Sequence, residues 1–169
     1  MLDNSIISPI NTNFLSKIGF DFAINKIPGV NFFVQRANIP SITTSSNKVP
    51  SPFSNIRVSS AQMDYGDLTI QFKVNDDMSN YIELYTWMKS FARPAGFQDN
   101  QYSTELDATS DGTLLVTNQL KSFKTAFQFS GWIPIYIVNL QLDLTLSDDE
   151  FVTATAVFAF TYFTIQKIT

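Results

Sequence analysis

Apolar residues in this chain recur mostly at every second position, the period of a β-strand with one buried face. Ile18, Phe20, Phe22 and Ile24 alternate with Gly19, Asp21 and Ala23. Pro28-Gly29 reads as a turn and Asn31–Ala37 as a returning strand, so a β-hairpin is predicted. The cleanest alternation is Asp67–Val74, with Leu68, Ile70, Phe72 and Val74 on one side. The period then changes: Tyr81, Leu84, Tyr85, Met88 and Phe91 recur at helical spacing until Pro94 stops the run. Asn80 and Glu83 stand at capping-box spacing ahead of them. One amphipathic helix, about Asn80–Ala92, is predicted, its aromatic stripe packing on the core. Strands resume at Leu114–Leu120 and Phe123–Phe129, and Gly131-Trp132-Ile133-Pro134 forms a corner. Leu140, Leu142, Leu144 and Leu146 alternate with Gln141, Asp143 and Thr145. After a turn at Ser147–Glu150, Phe151–Ile165 reads as one very long final strand.

Two stretches break this rhythm. Ile39–Ser60 holds three prolines and many serines, which remove backbone donors or offer local alternatives to a ladder, so regular structure should be sparse there. Its length exceeds what a compact domain leaves unstructured, and its Ile42, Val49, Phe53, Ile56 and Val58 have no use in a solvated loop. These five are therefore candidate contacts to a partner. Ala95–Gly112 is polar and acidic and reads as a second long loop. A polar arm, about residues 1–16, precedes the first strand. No internal repeat or linker divides the chain, so residues 1–169 form a single domain: mainly β, a β-sandwich or barrel with one flanking α-helix.

The final strand carries no charge and no proline from Val152 to Ile165, the profile of an aggregation-prone edge. A monomer would interrupt such a run with a charge. Val152, Ala154, Ala156, Phe158 and Phe160 share one face, and the other face is also largely apolar. Two readings follow: a strand through which the sheet continues into a neighbouring molecule, or a central strand of a self-contained sandwich.

Composition narrows the chemistry. The chain has no histidine and no cysteine. Imidazole- or thiol-based catalysis, thiolate and imidazole metal sites and disulfides are therefore excluded. Six glycines form no phosphate-cradling motif. Asp76-Asp77 and Asp148-Asp149-Glu150 sit between predicted elements, where aspartate serves turn chemistry. A carboxylate-only hydrolase would need one of these pairs, and nothing marks either for that role. No enzyme, cofactor or metal is expected. With net charge −4 and scattered Lys and Arg, the chain lacks the basic stripe of a nucleic-acid binder. Charged residues are 15% of the chain against roughly 25% in ordinary soluble domains, which fits a surface partly covered by partners. The N-terminus lacks a basic region followed by an apolar block, so no signal peptide is expected. Phe151–Ile165 is too short and too rich in threonine to cross a bilayer as a helix.

Taken in order, these segments resemble the tail tube proteins of contractile-tailed bacteriophages. The resemblance rests on Gly131-Trp132-Ile133-Pro134, Leu140-Gln141-Leu142-Asp143, the acidic Asp148–Glu150 turn and the aromatic strand Ala154–Phe163. It also rests on Asp67-Leu68-Thr69-Ile70 with Phe72, Val74 and Asp76-Asp77, on Tyr81, Tyr85 and Trp87, and on the Phe20–Gln35 segment before Asn38-Ile39-Pro40. The family is related to type VI secretion inner-tube proteins and to baseplate tube initiators. The resemblance implies a tail-tube-like structural subunit assembling as stacked hexameric rings, whose sheets merge around a lumen through which DNA passes without specific binding. It further implies tail sheath and baseplate proteins as partners, a place in the virion tail after assembly in host cytoplasm, and no membrane. Ile42, Val49, Phe53, Ile56 and Val58 would then reach an adjacent ring or subunit. Val152, Ala154, Ala156, Phe158 and Phe160 would lie on the sheet-merging strand. The long Asn100–Gly112 loop and the extended last strand depart from the family pattern and leave open a baseplate tube initiator or terminal ring. A monomeric β-sandwich that binds ligand through its loops is the reading from another class.

Overall fold

The computed structural model describes residues 19–31, 33–92, 108–117, 122–138, 140, 142 and 151–168. The N-terminal arm, most of the Ala95–Gly112 loop, and the expected Leu140–Leu146 strand with its acidic turn fall wholly or largely outside them. The described elements, in order, are β1 (Phe20–Ile24), α1 (Pro28–Asn31), β2 (Val34–Ala37), β3 (Ile42–Pro50), β4 (Asn55–Tyr65), β5 (Leu68–Lys73), α2 (Ser79–Ala92), β6 (Ser110–Thr117), β7 (Phe123–Val138), β8 (Thr153–Ala159) and β9 (Tyr162–Lys167). The architecture is mainly β, as expected, with a one-turn helix added to the expected one. None of the described helices is long and apolar enough to cross a membrane.

Seven strands form one antiparallel network, β1-β6-β7-β8-β5-β2, with β9 also paired to β7. It folds into two layers because β7 belongs to both. Thr125–Ser130 of β7 pairs with β9 and Phe123–Trp132 with β6, whereas Ile133–Val138 pairs with β8. The corner read at Gly131–Pro134 is the point of exchange. Gly131 has φ +72°, a conformation that favours glycine, and the register shifts between Pro134 and Tyr136. Opposite it, the expected single strand Phe151–Ile165 is broken at Phe160-Thr161: β8 lies in one layer and β9 in the other. The Thr161 N–H donates to Ser130 O at 3.0 Å, holding the two crossings side by side.

The N-terminal hairpin is a correction. β1 pairs with β6, Phe20 lying opposite Val116, while β2 pairs with β5, Val34 opposite Phe72. The two strands occupy opposite ends of the strand order. Between them Pro28, with φ preset for a helix, begins α1. Asn31 clamps the connection, accepting from the Ile24 N–H and donating to the Ile24 carbonyl, both at 2.9 Å.

Both layers turn aromatic residues inward. Trp132 stacks on Phe22 at 5.5 Å and lies 5.7 Å from Phe158 of the other layer. Phe129, Phe160, Phe163 and Tyr65 form a second group at spacings of 5.1–5.9 Å. Helix α2 adds Leu84 and Trp87 to this core, the Trp87 indole N–H donating to Ala108 O at 2.8 Å. The buried stripe is thus Asn80, Leu84 and Trp87, rotated from the expected one, and Tyr85 faces outward with Ile82. The expected capping box is also replaced. Asn80 is fully buried and donates to Lys73 O at 2.8 Å, tying the helix to the end of β5. Asp77 instead accepts from the Ser79 N–H at 3.0 Å, and that bond holds its carboxyl below the usual carboxylate range.

Candidate functional site

The stretch expected to lack regular structure is a long two-stranded hairpin. β3 and β4 form a hairpin in register from Ile42↔Tyr65 to Pro50↔Asn55, with an irregularity after Thr44. The prolines do not prevent it because they sit at its ends: Pro40 precedes β3, and Pro50 and Pro52 flank the tip, where the Ser51 N–H donates to Ser54 O. The intervening Thr, Val and Ile are good strand residues.

Pairing continues below the hairpin, where the Gly66 N–H donates to Ser41 O at 2.9 Å and the Asn38 N–H to Thr69 O at 3.1 Å. β2–β3 and β4–β5 therefore form one unbroken ribbon: its lower half is the edge of the sandwich and its upper half leaves it. Nine residues of β3 span roughly 30 Å. Every position of β3 is exposed, so the hairpin projects without resting on its own core.

All five candidate contacts lie on this hairpin, and all are exposed. Ile42 is at its base, Phe53 stands fully exposed at the tip, and Val49, Ile56 and Val58 lie in the outer half. Pairs directly opposite share a face. Val49↔Ile56 and Asn47↔Val58 therefore make one apolar face, and Lys48↔Arg57, flanked by Ser46↔Ser59, makes a polar and cationic one.

The second set of candidates is placed differently. β8 has both edges hydrogen-bonded within the chain, to β5 from Leu68↔Phe158 to Lys73↔Thr153 and to β7 from Ile133↔Ala159 to Val138↔Thr155. Ala154, Ala156 and Phe158 are fully buried, and Val152 and Phe160 partly so. Ala154, Ala156 and Phe158 thus lie in the wall of the core, on a strand whose ladders are taken up within the chain. Their uncharged character goes with a strand paired along both edges and buried on its inner face, as in the second of the two readings the sequence left open.

The free edges are elsewhere. Among the described residues, Ile133–Val138 of β7 is paired only to β8, and β2 only to β5, so this layer is open at both ends. Beside the β7 edge Ile133, Ile135, Tyr136 and Val138 are exposed. Sequence reasoning missed this edge because Gly131–Pro134 reads as the end of a strand. The outward face of the same layer carries Thr69, Gln71 and Lys73 of β5, Arg36 of β2 opposite Gln71, and Thr153 and Thr155 of β8, hydroxyl and amide groups with two cations among them.

Among the described residues, carboxylates do not converge on a reaction centre. Asp76 and Asp77 shape the turn before α2, accepting from the Asp77 and Ser79 N–H groups. Asp111 accepts from the Gly131 N–H at 3.2 Å at the rim of a shallow cleft otherwise lined by hydroxyls and Gly131. Among the described residues no three acidic groups gather as a cation site.

The sequence matches no protein-family model and no curated protein sequence. Its fold is shared with chains from contractile injection systems. A chain of the anti-feeding prophage baseplate, determined with six-fold symmetrisation, superimposes with a TM-score of 0.64 at 16% identity, covering 93% of this chain and 97% of that one. A chain of the cap that terminates the anti-feeding prophage tube gives 0.67 at 13%, covering 98% and 99%. A chain of the PVC sheath–tube complex in its extended state gives 0.66 at 14%, covering 93% and 94%.

Proposed function

We infer that this protein is a non-enzymatic building block of a contractile tail, a subunit that closes with copies of itself into hexameric rings which stack around a lumen. The observation that carries this reading is the layer β7-β8-β5-β2, open among the described residues at two ends that differ. One end continues into the projecting ribbon, and the other is the β7 edge with its exposed isoleucines. Unlike edges favour head-to-tail pairing, which closes into a ring or continues as a helix. Pairing satisfies backbone groups that would otherwise promote aggregation. Closure through this layer would turn this face inward, a lining of hydroxyl and amide groups with Arg36 and Lys73 among them, around the passage of DNA. The hairpin would then reach a neighbouring ring or subunit through Ile42, Val49, Phe53, Ile56 and Val58. The six-fold symmetrised baseplate neighbour supports six copies. Sheath and baseplate proteins are the partners of this reading, and a virion-like tail is its location.

The same fold occurs in chains from baseplate, tube–sheath and cap structures, so a tube initiator or terminal ring is the alternative within the same role. Negative-stain microscopy and light scattering of the purified protein test the reading. Rings or tubes are expected as concentration rises. A stable, soluble single copy at millimolar concentration overturns it.

A further inference from the structure

The cationic face of the hairpin poses an electrostatic problem that none of the described residues of its own chain solves. Lys48 and Arg57 are directly opposite on a two-stranded ribbon, an arrangement that destabilises by like-charge repulsion. Both are exposed, their flanking pairs Ser46↔Ser59 and Pro50↔Asn55 carry no carboxylate, and neither cation is paired among the described residues.

The complementary charge lies at the other end of the same ribbon. The tip of the hairpin leads through β4 into β5, and β5 leads into the turn at Asp76 and Asp77. Both aspartates are exposed and adjacent, and neither is paired with a cation among the described residues. Each molecule thus carries two adjacent positive charges near one end of its longest β ribbon and two adjacent negative charges beyond the other. A second copy placed along the strand axis, in the same orientation, brings unlike ends together. The net charge of −4 makes a second copy a suitable acceptor for this small basic face.

We propose that the Lys48–Arg57 face of the hairpin docks on the Asp76-Asp77 turn of a second copy in the next layer, so that stacking is polar and held electrostatically. This rests on the assembly proposed above and specifies which surfaces meet between layers. The apolar face of the hairpin, Val49, Ile56 and Val58, remains available to the same neighbour's surface. Because the charges are exposed, the contact is screened once the Debye length falls well below about 10 Å.

The test follows the critical concentration for tube formation by light scattering, with rings and tubes distinguished by negative-stain microscopy and folding checked by circular dichroism. In the wild type, raising the salt from about 0.05 M to about 0.5 M should shorten tubes and raise the critical concentration, with rings intact. Lys48→Glu with Arg57→Glu, and separately Asp76→Lys, should each raise it by roughly tenfold or more, since a modest pair is repeated around every ring. Combining Lys48→Glu and Arg57→Glu with Asp76→Lys and Asp77→Lys, which exchanges the two faces' charges, should recover most of the loss. Reversals that are tolerated, or a combination that recovers nothing, overturn the proposal. So does retention of a short DNA duplex by the wild type at physiological salt that is lost in the Lys48→Glu, Arg57→Glu variant, because the anion met by this face would then be phosphate. If the wild type forms neither rings nor tubes, the assembly reading fails first and the docking falls with it.

Discussion

Gly112 lies where three parts of the sandwich meet. A Cβ built there would stand 2.6 Å from the Ala23 carbonyl and 2.9 Å from the Trp132 ring, and backbone and buried indole have little room to yield. Gly112→Ala should therefore cost about 1–3 kcal/mol, the range for overpacking a filled core, read as a lower denaturant midpoint with unchanged slope. Glu83 shows a different constraint. Its carboxylate accepts from the Gly29 N–H at 3.0 Å and so pins α1 to α2. Burial raises its proton affinity, while the Gly29 and Val30 N–H groups pull the other way. Since the folded state holds this proton more tightly than the unfolded chain, its contribution to stability is largest at low pH. That contribution falls as pH rises through the carboxylate range and is lost above the raised folded value. Glu83→Gln should flatten this component, through and above the ordinary carboxylate range, in urea titrations. Glu83→Ala should lose about 1 kcal/mol through the undone anchor. Neither residue was visible as special in the sequence, where Gly112 looked like the end of a loop and Glu83 like half of a capping box. Both roles arise from contacts across the fold, with Trp132 in one case and α1 in the other.

At the scale of elements, local periodicity located most strands and the helix, because alternation at β5 or helical spacing at Leu84 and Phe91 is a property of neighbouring residues. It failed wherever the deciding partner was distant. β1 and β2 were recognised as strands but joined as a hairpin, although Phe20 finds Val116 and Val34 finds Phe72. The break between β8 and β9 has no proline or glycine to announce it. Phe160-Thr161 turns because β7 turns beside it at Gly131, and the aromatic cluster receives Phe160 and Phe163 on either side of the crossing. The hairpin β3–β4 was hidden by its prolines and serines, and the apolar residues read there as partner contacts all stand exposed on it. The hairpin meets the core at its base, through Tyr65, whereas residues 46–59 contribute none to it, so this outer half should be dispensable for folding. Replacing residues 46–59 by an Asn-Gly turn, which suits a two-residue hairpin connection, should change unfolding free energy by less than about 1 kcal/mol. Stacks in microscopy should disappear in the same variant. A protein that no longer folds would show that the hairpin is part of the domain's own stability.

For the whole molecule, the distinction that matters is between strands that hold the subunit together and strands left open to another. Sequence alone placed both roles on Val152–Phe160, since burial on both faces and an unguarded edge both produce an uncharged β-rich run. The fold separates them: β8 is enclosed by β5 and β7, while Ile133–Val138 of β7 keeps one edge unpaired among the described residues. Two substitutions in the same layer should therefore fail in different ways. Lysines at an edge oppose strand addition, and Ile133 and Ile135 are exposed enough to accept them without disturbing the core. Ile133→Lys with Ile135→Lys should give a folded, soluble monomer whose unfolding midpoint is close to that of wild type. Phe158→Ala empties a fully buried site packed against Trp87 and Trp132, and should cost about 3–5 kcal/mol. That loss should appear as unfolding and aggregation, with no folded monomer accumulating. Sedimentation velocity alongside thermal denaturation distinguishes the two. A folded monomer released by the Phe158 substitution, or rings that survive both lysines, would mean that subunits join somewhere other than the margin left open by β7.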